Sequence, residues 1–228
     1  MDAVVVKESD ALICASKAIF DSYKDISTNC YYIPHGCNVD LFNMAAECCL
    51  KKPADIDNLH PPIIGYFGTL TESNDQDILE FCASQHPDWN IVLIGEVVSD
   101  YSRLNAYKNV HFLGQKPLQD LPAYGQYFDV CLMNWKMNEW IHYCNPVKTK
   151  EYLAMGKPVV SVPIPEIVET LGDVISIASN PEEFMEKIVY ELQYDNHEKR
   201  QKRIEKVRNE TWKRKAEEIS DVILSILK

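Results

Sequence analysis

At 228 residues and a formal net charge of −11, the chain is long enough for one large domain or two small ones, and it lacks the positive field that a nucleic acid or anionic membrane surface requires. No apolar run approaches the roughly 18 residues of a membrane span, and the start Met1-Asp-Ala-Val-Val-Val-Lys7 lacks the basic region and long apolar stretch of a secretory leader. Eight cysteines are scattered without a C-x-x-C pair, mostly in or beside apolar runs such as Ala11-Leu-Ile-Cys14 and Asp129-Val-Cys-Leu-Met133, which indicates reduced core thiols in a cytoplasmic protein rather than a disulfide framework or a metal site.

Residues 1–9 read as the end of a helix that begins upstream. Ala11–Cys14 is a short buried strand, Ser16 caps a helix over Lys17–Tyr23, and Cys30–Ile33 is a second strand ending in the turn Pro34-His35-Gly36. Lys51–Pro62, with three prolines, is a surface loop or linker. A regular alternation follows. Strands are predicted over Pro62–Phe67, Asn90–Ile94, Asn109–Leu113, Asp129–Met133, Pro158–Val162 and Val174–Ala178. Between and after them lie helical segments over Asp75–Gln85, Tyr101–Tyr107, Leu118–Tyr127, Ile164–Leu171 and Pro181–Gln193. Short apolar strands alternating with helices specify an α/β fold with a doubly wound parallel sheet, Rossmann-like, over residues 1–195.

A helical tail, 196–228, completes the chain. Its cations interleave with Glu198, Glu205 and Glu210, the pattern of a solvated helix face rather than a nucleic-acid or membrane arm. Trp212, Ile219, Val222, Ile223 and Ile226 form an apolar stripe that must dock on something.

One stretch organises the rest, Asn145-Pro-Val-Lys-Thr-Lys-Glu-Tyr-Leu-Ala-Met-Gly-Lys-Pro-Val-Val-Ser161. Asn145 suits an N-cap, Pro146 the first helical position, and Gly156 with Pro158 a stop after about three turns. Lys148 then falls in the first turn, where the helix dipole disfavours a cation unless an anion such as a phosphate is bound there. Glu151 shares its face, so an ammonium and a carboxylate can address one ligand, the first a phosphate and the second the hydroxyls of a ribose. An ordinary ion pair on a solvated helix is the alternative.

Ligands of open parallel sheets bind beyond the carboxyl ends of the strands. Those ends carry Gly65-Tyr-Phe-Gly68-Thr69, Gly95-Glu96, Gly114-Gln115-Lys116 and the loop Asn134–Asn145, which together describe a nucleotide pocket. Gly65-x-x-Gly68 lacks the third glycine and ribose acid of a dinucleotide fingerprint. No Ser-His-Asp order, phosphate-loop signature or zinc spacing is visible. His111 is assigned to structure, and His35 and His142 to the presumed pocket.

These segments, in this order, carry a resemblance. Tyr32-Ile-Pro-His-Gly36 with Asp40-Leu-Phe42, Ile63-Ile-Gly-Tyr-Phe-Gly68, Pro87-Asp-Trp-Asn-Ile-Val-Leu-Ile-Gly95, Asn109-Val-His-Phe-Leu-Gly114 and the Asn145–Val160 block resemble the donor-binding half of group 1 (family 4-like) glycosyltransferases of the GT-B fold. The similarity is greatest to the bacterial branch of teichuronic acid and other cell-surface polysaccharide biosynthesis. It implies a retaining transfer that needs no metal or organic cofactor, with a UDP- or GDP-linked sugar as substrate. Glu151 would bind ribose, Lys148 with Gly68 and Thr69 the diphosphate, Gly114–Lys116 the base edge, and Gly95 and Asn145 would complete the donor site.

Two departures accompany the resemblance. Tyr143 stands where many relatives have a sugar-binding glutamate, leaving Glu139 as its substitute. Thr69, Leu70 and Thr71 replace the usual cations, leaving His142 to supply positive charge. With Lys148, these two are the candidate catalytic residues, pending the groups of an acceptor domain that relatives carry in front and onto which the tail would pack. The full enzyme would then associate peripherally with a membrane. A non-catalytic binding module and a nucleotide-sugar epimerase-like enzyme are the competing readings of the same fold.

Overall fold

The computed structural model describes residues 3–227. The first two residues of the helix expected over 1–9 and the last residue of the expected tail lie outside the described residues.

In chain order the elements are α1 (Ala3–Glu8), β1 (Leu12–Cys14), α2 (Lys17–Tyr23), β2 (Cys30–Tyr32), α3 (Val39–Glu47), β3 (Ile63–Phe67), α4 (Gln76–Gln85), β4 (Asn90–Ile94), β5 (Val110–Phe112), α5 (Leu121–Gly125) and β6 (Val130–Met133). The chain continues with α6 (Glu139–His142), α7 (Val147–Ala154), β7 (Val159–Ser161), α8 (Pro165–Leu171), β8 (Ser176–Ile177), α9 (Pro181–Tyr194), α10 (His197–Val207) and α11 (Trp212–Ile226). Single 3-10 turns replace the helices expected at Tyr101–Tyr107 and at the start of Leu118–Tyr127.

Six strands form one parallel sheet in the order β5-β4-β3-β6-β7-β8. The central pair, β3 and β6, is buried at every position. That burial is why both read as unbroken apolar runs rather than as alternating ones. The sheet grows outward from β3 to β5 and then returns to β6, so the turning point of the topology lies between β3 and β6.

β1 and β2 do not join this sheet. They pair with each other in parallel, Leu12 with Cys30 and Cys14 with Tyr32, over a small core of their own built on Val6, Leu12 and Cys14. Glu166 at the start of α8 fastens this layer to the main domain by accepting from the Tyr32 hydroxyl at 2.5 Å and the Lys17 N–H at 2.6 Å.

The tail is two helices. α10 packs on α7, with the buried Arg203 donating to the Gly156 carbonyl at 3.0 Å and to Asp195 at 2.6 Å. α11 is held through charge more than through its apolar stripe. Buried Lys215 and buried Lys150 of α7 both donate to Glu210, while Trp212 and Ile223 stay exposed.

Candidate functional site

α7 stands over the turning point of the sheet. Its Tyr152 hydroxyl, fully buried, accepts the Phe67 N–H at the end of β3 at 2.9 Å, and the two rings lie 4.5 Å apart. That contact sets the amino end of α7 beside Gly68. The opposite end closes with a double hydrogen bond characteristic of a glycine stop: Gly156, at φ +73°, donates to the Leu153 carbonyl and Lys157 to that of Tyr152.

The start of this helix corrects the sequence reading by one residue. Pro146, not Asn145, occupies the N-cap, because its ring-fixed φ of −75° with an extended ψ of 111° delivers the chain into the helix from outside. The Asn145 amide instead donates to the Ala15 carbonyl at 2.8 Å and ties α7 to the β1–β2 layer. No side chain caps α7, so its first N–H groups are left for water or an anion.

Lys148 lies in the first turn of α7 and reaches back toward the end of β3. Its ammonium donates to the Tyr66 hydroxyl at 2.7 Å and lies 4.4 Å from the Tyr66 ring centre and 5.0 Å from that of Trp135. Among the described residues it has no carboxylate partner. The rings, worth about 0.5–2 kcal/mol in such contacts, offset the ~0.3–1 kcal/mol that a cation loses at a helix amino end. The ion pair with Glu151, the bland alternative, does not form.

Glu151, partly buried, likewise has no hydrogen-bond or ion-pair partner among the described residues. Burial pushes its carboxyl up to about 7, against a smaller downward pull from Lys148. A carboxylate withdrawn from water without an acceptor's usual partners is a cost that a ligand's hydroxyl groups would relieve.

The glycine ends converge as expected. Gly68 at φ +137° accepts no side chain, since a Cβ there would collide with the Lys148 ammonium and stand 3.2 Å from the Tyr66 hydroxyl. Gly95 at φ +150° packs on the Gly68 carbonyl and donates to the Gly114 carbonyl at 2.9 Å. Thr69, Gly114 and Gln115 are exposed along the same rim. Gly65, by contrast, makes room for the Phe128 ring and serves packing.

Other predicted residues divide. The Lys116 ammonium is committed to Asp55 at 2.6 Å, so the backbone of the 114–116 segment and the exposed Gln115 are what remain to meet a base. Glu139 and His142 are exposed at the two ends of α6, a one-turn helix where the sequence predicts a loop. The His142 ring lies edge-on to Tyr143 at 5.1 Å, and neither residue joins the Lys148 cluster. The His35 ring sits 6.0 Å from that of Trp212, and its carbonyl accepts from Lys150 at 2.5 Å, which ties the turn to α7 and α11. His111 is structural, with Nε2 2.9 Å from the Asn90 side-chain oxygen.

Tyr66 and Trp135 were missed. The signal lay in their places, one inside the glycine-bearing end of β3 and the other just past β6, the two strands that flank the turning point. Trp135 is held by backbone pairing of its segment with 73–75, through Lys136 N–H to the Ser73 carbonyl at 2.7 Å and Asp75 N–H to that of Asn134 at 2.5 Å.

With this geometry in hand, the chain can be set beside known proteins. The family model described as Glycosyl transferases group 1 matches residues 61–193, which hold β3 to α9 and every glycine end. The "Putative teichuronic acid biosynthesis glycosyltransferase TuaH" of Bacillus subtilis (strain 168) is 21% identical over 169 residues, 71% of this chain and 42% of that protein. The chain therefore spans less than half the length of this relative. The structure of Anabaena Alr3699/HepE in complex with UDP and glucose superposes with a TM-score of 0.75 at 17% identity, over 97% of this chain and 65% of that one. A glycosyltransferase from Rickettsia africae ESF-5 superposes equally well, with a TM-score of 0.75 at 16% identity over 99% and 67% of the two chains. At these identities the superpositions establish the GT-B type of fold.

Proposed function

Since this chain belongs to the group 1 glycosyl transferases, we propose that the turning point of its sheet binds a nucleotide diphosphate sugar as the donor for transfer to an acceptor. The observation that carries the reading is the pairing on one face of α7 of an ammonium and a partly buried carboxylate that, among the described residues, have respectively no carboxylate and no donor. Each lacks what the other end of a nucleotide diphosphate supplies.

In this reading the diphosphate lies against Gly68, where the absent Cβ opens the approach to Lys148, and the first N–H groups of α7 complete the cradle. Negative charge grows on the departing phosphate as the glycosidic bond breaks. A fixed cation and fixed N–H dipoles stabilise that charge without reorganising. Glu151, ionised, accepts from the ribose hydroxyls, and the 114–115 backbone faces the base.

The bound UDP in the Anabaena structure supports a uridine donor, and the name of the B. subtilis relative supports a role in cell-surface polysaccharide assembly. Retention of configuration and a hexosyl donor belong to the same proposal, as does an acceptor domain contributing groups that this fold does not itself present. The test is a thermal-shift and calorimetric panel of UDP, GDP, ADP and their glucose conjugates. One diphosphate should stabilise the chain, and Lys148→Met should abolish most of its binding. If no nucleotide diphosphate binds, or if Lys148→Met binds like the parent, the reading fails.

A further inference from the structure

Resting on that reading of the site, we infer that Tyr66 and Trp135 are positioning residues that aim the Lys148 ammonium at the diphosphate while leaving its charge unneutralised. A lysine can be fixed in two ways. A carboxylate would fix it and cancel it; an aromatic face fixes it through the ring quadrupole and adds no net negative charge.

Here the second way is used throughout. The ammonium is 4.4 Å from one ring centre and 5.0 Å from the other, and its single described hydrogen bond goes to a neutral phenol at 2.7 Å. Indole Nε1 of Trp135 approaches the same phenol oxygen at 3.5 Å. Tyr66 is 1% exposed, so it acts through Lys148 rather than on a ligand. Burial is the largest influence on the Tyr66 phenol and raises its pKa, but the Lys148 charge together with hydrogen bonds from Asn74, Lys148 and Trp135 brings it below its ordinary value, as a phenol facing donors and a cation rather than a carboxylate would be.

The surroundings give this arrangement its purpose. In a chain of net charge −11, a lone cation at the ligand edge would be a target for any mobile carboxylate. The two rings occupy its flanks, and the missing Cβ of Gly68 leaves the room that the ammonium itself fills at the end of β3. Discrimination between a diphosphate and a bare nucleoside then depends on the cage, not only on the lysine.

The experiment uses the full chain with UDP, uridine and inorganic pyrophosphate as probes. Tyr66→Phe keeps the ring and removes the hydroxyl; Trp135→Leu removes a ring and leaves Tyr66 intact. Each should weaken UDP and pyrophosphate about tenfold while leaving uridine unchanged, and neither should have any further effect once Lys148→Met is present. In the unliganded chain, the Lys148 side-chain proton resonances should be shifted upfield by the rings and should move back in Trp135→Leu. Equal losses for uridine and UDP, persistence of the losses without Lys148, or absence of the upfield shift would each overturn the inference. Binding of pyrophosphate but not UDP, with the cage dependence intact, would instead sink the nucleotide reading and leave the cage standing.

Discussion

Replacing Glu151 with glutamine should make the protein more stable and a poorer binder at once, and the size of the first effect follows from the structure. Burial holds the Glu151 carboxyl at about 7 in the folded chain against an ordinary value of 4.5. The folded state therefore binds the proton more tightly than the unfolded state, so stability is highest below the unfolded value and is lost as pH rises toward 7. The loss is about 1.4 kcal/mol at pH 5.5 and approaches ~3 kcal/mol at pH 8. Glutamine carries no charge to bury, so Glu151→Gln should raise the midpoint of thermal unfolding by roughly 5–10 °C at pH 8 and by less than half of that at pH 5.5. The same change removes a charged acceptor from the ribose and should weaken UDP about 10- to 100-fold at pH 8. The parent-to-variant ratio of UDP affinities should shrink as pH falls below 7, because the parent then carries a protonated acid; taking the ratio cancels titration of the phosphate itself. Calorimetry and thermal unfolding at the two pH values decide the matter. A stability gain that is absent or independent of pH would show that the Glu151 carboxylate is solvated rather than withdrawn from water.

Gly95→Ala places a Cβ against the Gly68 carbonyl at a positive φ, so it should cost about 1–3 kcal/mol in urea unfolding and weaken UDP by displacing the β3 end. Lys150→Met breaks the buried contact with Glu210 and leaves the His35 carbonyl unpaired; a loss of about 3–5 kcal/mol is expected, and Glu210→Gln should cost less because a neutral amide still accepts from Lys215. In native protein the exposed thiols of Cys48 and Cys49 should react first with a chromogenic disulfide. Cys14, Cys37, Cys82 and Cys131, buried and with thiols pushed up by burial, should react only on unfolding; rapid labelling of any of these four would contradict the packing.

What could be read without coordinates was whatever depends on one segment at a time. β3 and β6 announced themselves as apolar runs because both faces of a central parallel strand are covered, and Lys148 and Glu151 fell on one face because helical geometry alone puts them there. The short elements α3 and α6 escaped for the converse reason. α3 is set by the Asn38 cap and by Val39, Phe42 and Ala45 turned inward, and α6 buries only Ile141, which is too little periodicity to distinguish a single turn from a loop. The separate pairing of β1 with β2 was hidden because a three-residue apolar strand carries no mark of which sheet it will join. The cage was hidden most deeply. Tyr66 and Lys148 are 82 residues apart, and only the sheet order, which returns the chain to β6 beside β3, brings a tryptophan from the end of one strand and a tyrosine from the other to a lysine on the helix above them. A cation at a helix start is a local oddity that sequence can report. Why it is tolerated is a property of the fold, since the rings that hold it come from the two strands that flank the turning point of the sheet.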